Sequence, residues 1–173
     1  MDTGLLLLRI VVGLLFVGHG GLKLFGWLGG DGLDSTARYF DSLGYRPGRR
    51  YAIAGGAIEL AGGALLALGL FTPIAAAVLI AMMGNAMAVV HWPKGLWNAA
   101  GGVELPLVLA AVAAAVGFTG PGRYSVDRAI GWHLSGVPLG VVVLLVGAAG
   151  IAGGLAARAW ATRDVEARRA HMI

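Results

Sequence analysis

The chain of 173 residues is 58% hydrophobic and only 13% charged, with a mean hydropathy of +0.79. A soluble domain of this size exposes much of its surface to water, so the composition argues against one and indicates a membrane protein. The formal net charge of +4 comes without a basic stripe or nucleic-acid motif, and we expect no nucleic-acid binding. The chain contains no cysteine, which excludes disulfides, thiolate metal sites and thiol relays within it.

Five apolar runs are candidates for membrane-spanning helices, which need about 20 residues each. They are Leu5–Leu24, Tyr51–Leu70, Pro73–Val90, Val103–Phe118 and Val137–Ala157. The fourth run is the shortest, and a start as early as Leu96 is compatible with its pattern. The sequence therefore predicts an all-α membrane protein. A four-helix transmembrane bundle occupies residues 1–136, a fifth transmembrane helix occupies 137–157, and a basic tail follows at 158–173.

The first run has the length of a signal peptide but not its pattern. No basic segment precedes it, Arg9 lies inside it and no small-residue cleavage site follows, so we expect it to be retained.

The connections between the runs also carry structural signals. The link from Leu70 to Pro73 is so short that the second and third spans must form an antiparallel hairpin. Pro73 suits this position, because proline is tolerated where a helix begins. In the long loop 25–50, residues 34–44 resemble a capped short helix that ends at Gly44, and we expect it to lie along the membrane interface.

The basic residues outside the runs are distributed unevenly between the two sides of the membrane. An arrangement with the N-terminus outside and the C-terminus inside places nine of them in the cytoplasm: Arg38, Arg46, Arg49, Arg50, Lys94, Arg158, Arg163, Arg168 and Arg169. Only Arg123 and Arg128 remain outside. The positive-inside rule therefore favours this orientation.

Six ionisable side chains lie within the predicted spans or at a span end: Arg9, His19, Lys23, Glu59, His91 and Glu104. Such groups are costly in lipid and are by default candidates for a functional site. Because spans alternate in direction, the ends of the first and third spans lie on the same side of the membrane as the starts of the second and fourth spans. We therefore predict a buried polar cluster at one leaflet that opens toward the cytoplasm, with Arg9 as a deeper member.

Glu59 is the most informative member of this set. It lies in Gly55-Gly-Ala-Ile-Glu59-Leu-Ala-Gly-Gly63, where the glycines let another helix approach closely. A carboxylate at this depth should be paired or protonated, and the cations available on the first helix are Lys23 and Arg9.

Each of these residues also has a simpler structural explanation. Lys23 at a helix end can extend its ammonium group to the interface, and Glu104 near a helix start is favoured by the helix dipole. Glu59 can form an interhelical ion pair that is purely structural, and the histidines can be hydrogen-bonding groups at the interface. Two histidines and two carboxylates would suffice for a metal site, but no paired Glu-x-x-His motif supports one, and we expect no metal.

Six short stretches, taken together and in order, resemble the DoxX family of small bacterial membrane proteins. They are Leu8–Gly13, Gly18–Leu24, Glu59–Pro73, His91–Gly95, Glu104–Leu107 and Gly120–Asp127. The resemblance covers about Leu5 to Asp127 and implies a four-helix membrane core, from which the fifth helix departs as an addition. Related DoxD-type proteins are subunits of a thiosulfate:quinone oxidoreductase, and other relatives are linked to redox complexes or assembly, so the resemblance does not select one reaction.

Three functions remain open from the sequence. The first is a membrane subunit of a redox-linked complex that binds a quinone, in which Glu59 and a histidine exchange protons and Lys23 or Arg9 stabilises the reduced anion. The second is a non-catalytic scaffold or assembly protein. The third is a small proton-coupled transporter, which ranks last because the sequence lacks inverted repeats and interrupted helices. The expected partners are lipid, a quinone, and either another protein or a second copy of the chain. The sequence does not decide whether the chain catalyses a reaction alone.

Overall fold

The computed structural model describes residues 2–170, with side chains through residue 163, so Arg168 and Arg169 lie outside the described side chains. These residues form helices and connecting turns without a strand, which confirms the predicted all-α class. In chain order the helices are α1 (Asp2–Phe25), α2 (Gly32–Ser42), α3 (Gly48–Leu68), α4 (Thr72–Ala86), α5 (Glu104–Thr119), α6 (Val126–Ala129) and α7 (Val137–Ala170).

Within residues 2–170, four helical segments are long and apolar enough to cross a membrane. They are Asp2–Phe25, Gly48–Leu68, Thr72–Lys94 and Val137–Arg163. The third is not a regular α-helix throughout, because α4 continues as a π-helical turn over Met87–His91 and a 3-10 turn over Trp92–Lys94. Four of the predicted spans therefore have a matching long helix.

The remaining predicted span corresponds to α5, which is shorter than the others. Its 16 residues extend about 24 Å at 1.5 Å per residue, less than a typical hydrocarbon core of about 30 Å. A start at Leu96 is wrong, since a 3-10 turn at Asn98–Ala100 precedes the helix. The helix nevertheless runs from one end of the bundle to the other: it follows the end of α4, and the segment after it contacts the turn before α4.

The turn between α3 and α4 is as tight as its sequence predicts. Gly69 ends α3 in the left-handed region with φ of 65°, and Phe71 also has a positive φ of 48° before Pro73 enters the first turn of α4. The side chain of Asp127 accepts hydrogen bonds from the amides of Phe71 (2.8 Å) and Thr72 (2.9 Å). These bonds satisfy two of the unpaired donors at the start of α4.

The loop between α1 and α3 contains α2 where the sequence predicts a short helix. It begins at Gly32 rather than at a cap on Asp34, whose carboxylate instead lies 2.5 Å from the guanidinium of Arg49. Gly44 follows the helix with φ of 89°, as a helix stop requires. The amphipathic α2 packs on α3 and on the end of α1.

The most extensive helix contact is between α1 and α3, and glycines make it close. A Cβ on Gly13 would lie 2.5 Å from the carbonyl oxygen of Gly63, and one on Gly20 would lie 2.6 Å from that of Gly56. Small residues of this kind let two helix backbones approach in a membrane, where water does not drive association. Phe16 lies between these two contacts along α1, is completely buried and packs against Gly63.

Helix α7 packs along α4 and α5 on one side only. Gly147 and Gly150 face Ile80 and Ala81 of α4 at distances that leave no room for a side chain. The outer face carries exposed apolar residues, including Val142 and Leu145, as expected for a lipid-facing helix.

The glycine contact between α1 and α3 predicts a position-specific effect of adding one methyl group. Gly20→Ala should lower the free energy of unfolding by about 1 to 3 kcal/mol, because its Cβ meets backbone atoms that cannot move aside. Gly4→Ala in the same helix should have little effect, because no atom lies within 4 Å of its Cβ. Unfolding of the purified variants in one detergent measures both, and equal stability of the two variants would contradict this packing.

Candidate functional site

A cavity of about 800 Å³, here called the bundle cavity, lies between α1, α2, α3 and α4, with α5 and α7 contributing to its wall. Its volume falls within the range of small-molecule sites, which are mostly apolar with a few polar groups. The wall is formed largely by apolar and aromatic side chains such as Phe40, Ile58, Met82, Val90 and Leu109. His19, Lys23, Glu59 and His91 are the predicted cluster residues that line it.

The main charged feature of the bundle cavity is an ion pair between Lys23 of α1 and Glu59 of α3. The Lys23 Nζ lies 2.6 Å from both oxygens of the carboxylate. The Glu59 side chain is only 3% exposed, whereas that of Lys23 is 23% exposed. This arrangement depends on the glycine contact, because Gly20 lies against Gly56 one turn from the pair.

The two oxygens of Glu59 are not equivalent. The ammonium group donates a hydrogen bond to Oε1, whereas Oε2 is equally near but outside the direction of a hydrogen bond. Oε2 is buried too, and its contact with the same ammonium group is ionic. Lys23 is therefore the charged partner of both carboxylate oxygens.

The two histidines of the predicted cluster differ in their surroundings. His19 is exposed at the edge of the cavity. His91 is half-buried at the end of the π-helical turn, and its Nδ1 lies 2.7 Å from the carbonyl oxygen of Gly101. Only His91 is therefore held in position by a hydrogen bond from its ring.

Glu104 lies at the same end of the bundle but is not part of the cavity wall. Its Oε2 accepts a hydrogen bond of 2.8 Å from the amide of Asn98. It thereby closes the loop that joins α4 to α5. The structure gives this carboxylate a role in shaping the loop next to His91.

Arg9 does not join the other cluster residues, and its predicted place as a deeper member of the cluster is wrong. Positions 9 and 23 are separated by about 21 Å along a helix, at 1.5 Å per residue. The buried guanidinium of Arg9 turns away from Lys23 and donates to the carbonyl oxygens of Pro121 and, at 2.5 Å, Tyr124. Arg9 therefore holds the segment after α5 at the opposite end of the bundle.

Sequence reasoning missed a second polar group in the bundle cavity, formed by Tyr45 and Asn85. The hydroxyl of Tyr45 donates to Asn85 Oδ1 at 3.1 Å, and the Asn85 amide donates to the carbonyl oxygen of Ala81 at 3.0 Å. Burial raises the pKa of Tyr45, against the opposing effect of Arg158, so the phenol remains protonated. The signal available in the sequence was an amide at position 85 within an otherwise apolar helix.

No metal site is evident in the part of the chain that the structure describes. No group of three or more histidine, aspartate or glutamate side chains there is arranged to hold an ion.

Comparison with known proteins gives a family and one distant relative. The family model described as DoxX matches residues 4–92, just over half of the chain. Of the stretches that carried the resemblance, Glu104–Leu107 and Gly120–Asp127 lie outside this match. A protein of Bacillus subtilis (strain 168) described as "Putative oxidoreductase CatD" is 40% identical over 73 residues, which are 42% of this chain and 48% of the relative. The match thus spans about half of the relative's length, and no solved structure matches significantly.

The two ion pairs of the described chain should differ greatly in their effect on stability. Glu59→Gln leaves the Lys23 ammonium group without its buried partner. We expect the free energy of unfolding to fall by about 3 kcal/mol, at the low end of the range for a buried pair because Lys23 is partly exposed. Asp34→Asn removes the exposed pair with Arg49 and should cost at most about 1 kcal/mol.

A double-mutant cycle identifies the cause of the Glu59 effect. Adding Lys23→Met to Glu59→Gln should recover part of the lost stability, because the unpaired charge is removed as well. Unfolding of all four proteins in one detergent provides the measurement. Strictly additive losses from the two substitutions would show that the pair is not coupled.

Proposed function

Because the chain belongs to the DoxX family, and a relative over part of its length is described as an oxidoreductase, we propose that it is a membrane subunit of a redox-linked complex whose bundle cavity binds a quinone. The observation that carries the proposal is the buried Lys23–Glu59 pair in the wall of a largely apolar cavity. A lone structural ion pair does not require a cavity beside it.

The residues of the bundle cavity suit the chemistry of a quinone ring. Such a ring is a flat apolar surface with two oxygen atoms, and its reduction to a quinol takes up two electrons and two protons. Aromatic and aliphatic side chains such as Phe40, Ile58 and Met82 provide the apolar contact. The ammonium group of Lys23 can donate a hydrogen bond to a ring oxygen and favours negative charge there.

Proton handling in this proposal belongs to Glu59 and the histidines of the cavity. The carboxylate of Glu59 lines the cavity as a proton acceptor, and Lys23 compensates its charge. His19 at the exposed edge links the cavity to water. Since the chain contains no cysteine, the proposed electron donor or acceptor is another protein of the complex.

The second candidate function is a non-catalytic scaffold. The observation that favours it is the exposure of α7, since only 17% of its most apolar 18-residue stretch is buried within the protein. The outer face of α7 offers Val141, Val142 and Leu145 to lipid or to a helix of another protein. A scaffold needs the helix surface but not the bundle cavity, so a ligand-binding measurement separates the two functions.

We also propose a location for the cavity, at the cytoplasmic side of a bacterial plasma membrane. The cavity end of the bundle carries the α2 region, the end of α4 and the interaction between Arg158 Nε and the carbonyl oxygen of Leu43, at 2.6 Å. Seven of the nine basic residues assigned to the cytoplasm have described side chains, and they lie at this end, in α2, around the start of α3, after α4 and in the last part of α7. The positive-inside rule therefore supports this orientation.

Quinone binding should depend on the charged wall of the cavity. In lipid nanodiscs the protein should bind a short-chain ubiquinone analogue saturably, and Lys23→Met should weaken binding about tenfold, the scale of one charge-assisted hydrogen bond. Gly55→Leu, which introduces a side chain into the cavity wall without altering charge, should weaken it as well. Arg123→Gln at the opposite end should bind like the original protein. Absence of saturable binding, or full binding by both cavity variants, would reject the proposal.

The proposed orientation can be tested because the chain has no cysteine of its own. Single cysteines introduced by Arg38→Cys and Arg163→Cys should resist an impermeant maleimide in intact cells, and Arg123→Cys should react. All three side chains are exposed in the structure, so protection reports the side of the membrane rather than burial. Reaction at positions 38 and 163 with protection at 123 would reverse the orientation.

A further inference from the structure

The ring of His91 is fixed by a hydrogen bond that determines which nitrogen remains for a ligand. A carbonyl oxygen can only accept, so the 2.7 Å contact with Gly101 requires the hydrogen to be on Nδ1 of His91. In a neutral imidazole the other nitrogen, Nε2, then carries a lone pair. Because His91 lines the bundle cavity with Nδ1 already engaged, Nε2 is the ring atom left to bind a ligand.

The backbone around His91 is irregular on both sides of this hydrogen bond. His91 ends the π-helical turn that interrupts α4 after Ala86, and turns of this kind are frequent at functional sites. Its partner Gly101 has φ of 78°, a left-handed conformation that favours glycine. Both residues of the contact are thus in special backbone conformations.

Glu104 holds the loop that presents the carbonyl group of Gly101. Its carboxylate accepts from the amide of Asn98, and its own amide donates to the carbonyl oxygen of Leu96 at 2.9 Å. The amide of Val103 also donates to the carbonyl oxygen of Gly95 at 3.0 Å. Glu104 is therefore a positioning residue that acts on His91 through Gly101.

Among the described residues none donates a hydrogen bond to Nε2 of His91, which is therefore a free acceptor in the wall of the bundle cavity. A quinone oxygen can only accept hydrogen bonds, whereas each hydroxyl group of a quinol also donates one. Acceptors left unpaired in a partly buried site disfavour a ligand that cannot donate to them.

We propose that the bundle cavity is specific for the reduced, phenolic form of its ligand, and that His91 Nε2 accepts a hydrogen bond from a ligand hydroxyl group. This inference rests on the proposed quinone-binding function and adds the preferred redox form. It assigns His91 to ligand selection and Glu104 to positioning, and it requires no electron transfer within the chain.

The binding test compares three forms of one short-chain ligand under anaerobic conditions: the quinol, the quinone and the quinol dimethyl ether, which lacks donor hydrogens. The protein in nanodiscs should bind the quinol about tenfold more tightly than either other form, the scale of one hydrogen bond. His91→Phe should remove most of this preference. His91→Gln, whose side-chain oxygen can accept, should retain part of it.

The imidazole tautomer provides a test that needs no ligand. The chain has only four histidines, so ¹⁵N-histidine NMR in mildly alkaline buffer can identify the His91 signals by comparison with His91→Gln. The neutral ring should carry its hydrogen on Nδ1. Glu104→Ala should shift the population toward the Nε2–H form, while Glu104→Gln, which can still accept from Asn98, should not.

The outcomes separate this inference from the function on which it rests. Binding of the quinone with no preference for the quinol, or a preference that His91→Phe leaves intact, would overturn the inference while quinone binding stands. An Nε2–H tautomer in the original protein would overturn it as well. If neither the quinol nor the quinone binds, the proposed function fails and the selectivity fails with it, whatever the tautomer.

Discussion

The close approach of α1 and α3 is the contact on which the rest of the molecule depends. Backbone meets backbone at Gly13 with Gly63 and at Gly20 with Gly56, so the two helix axes come nearer than side chains would allow. This proximity brings the ammonium group of Lys23 within 2.6 Å of a carboxylate that is almost fully buried. Without it, Glu59 would be an unpaired charge among apolar helices, which is a costly arrangement.

The two ends of the bundle are built differently. At one end, Arg9 and Asp127 bind backbone groups of the connections, and their own side chains are buried. Interactions of charged side chains with peptide groups hold turns in place. At the other end, the charged pair lies beside a cavity that α2 and the π-helical turn help to enclose. The polar atoms of the first end are used for structure, whereas Nε2 of His91 at the second end remains unpaired.

Helix α7 is more than an attachment to the outside of the bundle. Gly150 and Gly154 line the cavity, and the side chain of Asn85 lies against Gly154. Arg158 also reaches back to the carbonyl oxygen of Leu43, beside the buried Tyr45. The helix thus completes one wall of the cavity that α1, α2, α3 and α4 surround.

The length of the apolar runs, the tight turn at Pro73 and the pairing of Glu59 with a cation of the first helix were all available from sequence. These features follow from local composition, from the cost of burying a charge and from the alternation of spans. The segment around α2 was also located, although its start was not, because Asp34 pairs with Arg49 instead of capping the helix.

What only the tertiary structure decided is which polar groups share a site. Arg9 donates hydrogen bonds to the carbonyl groups of residues 121 and 124, Tyr45 donates one to Asn85, and His91 donates one to Gly101. The hydropathy pattern predicts the depth of a residue in the membrane, but it does not predict which backbone carbonyl or side chain of another helix lies opposite that residue. A carbonyl group is present at every position of the chain, so the partners of Arg9 and His91 leave no mark in the sequence, and only the packing of the helices selects them.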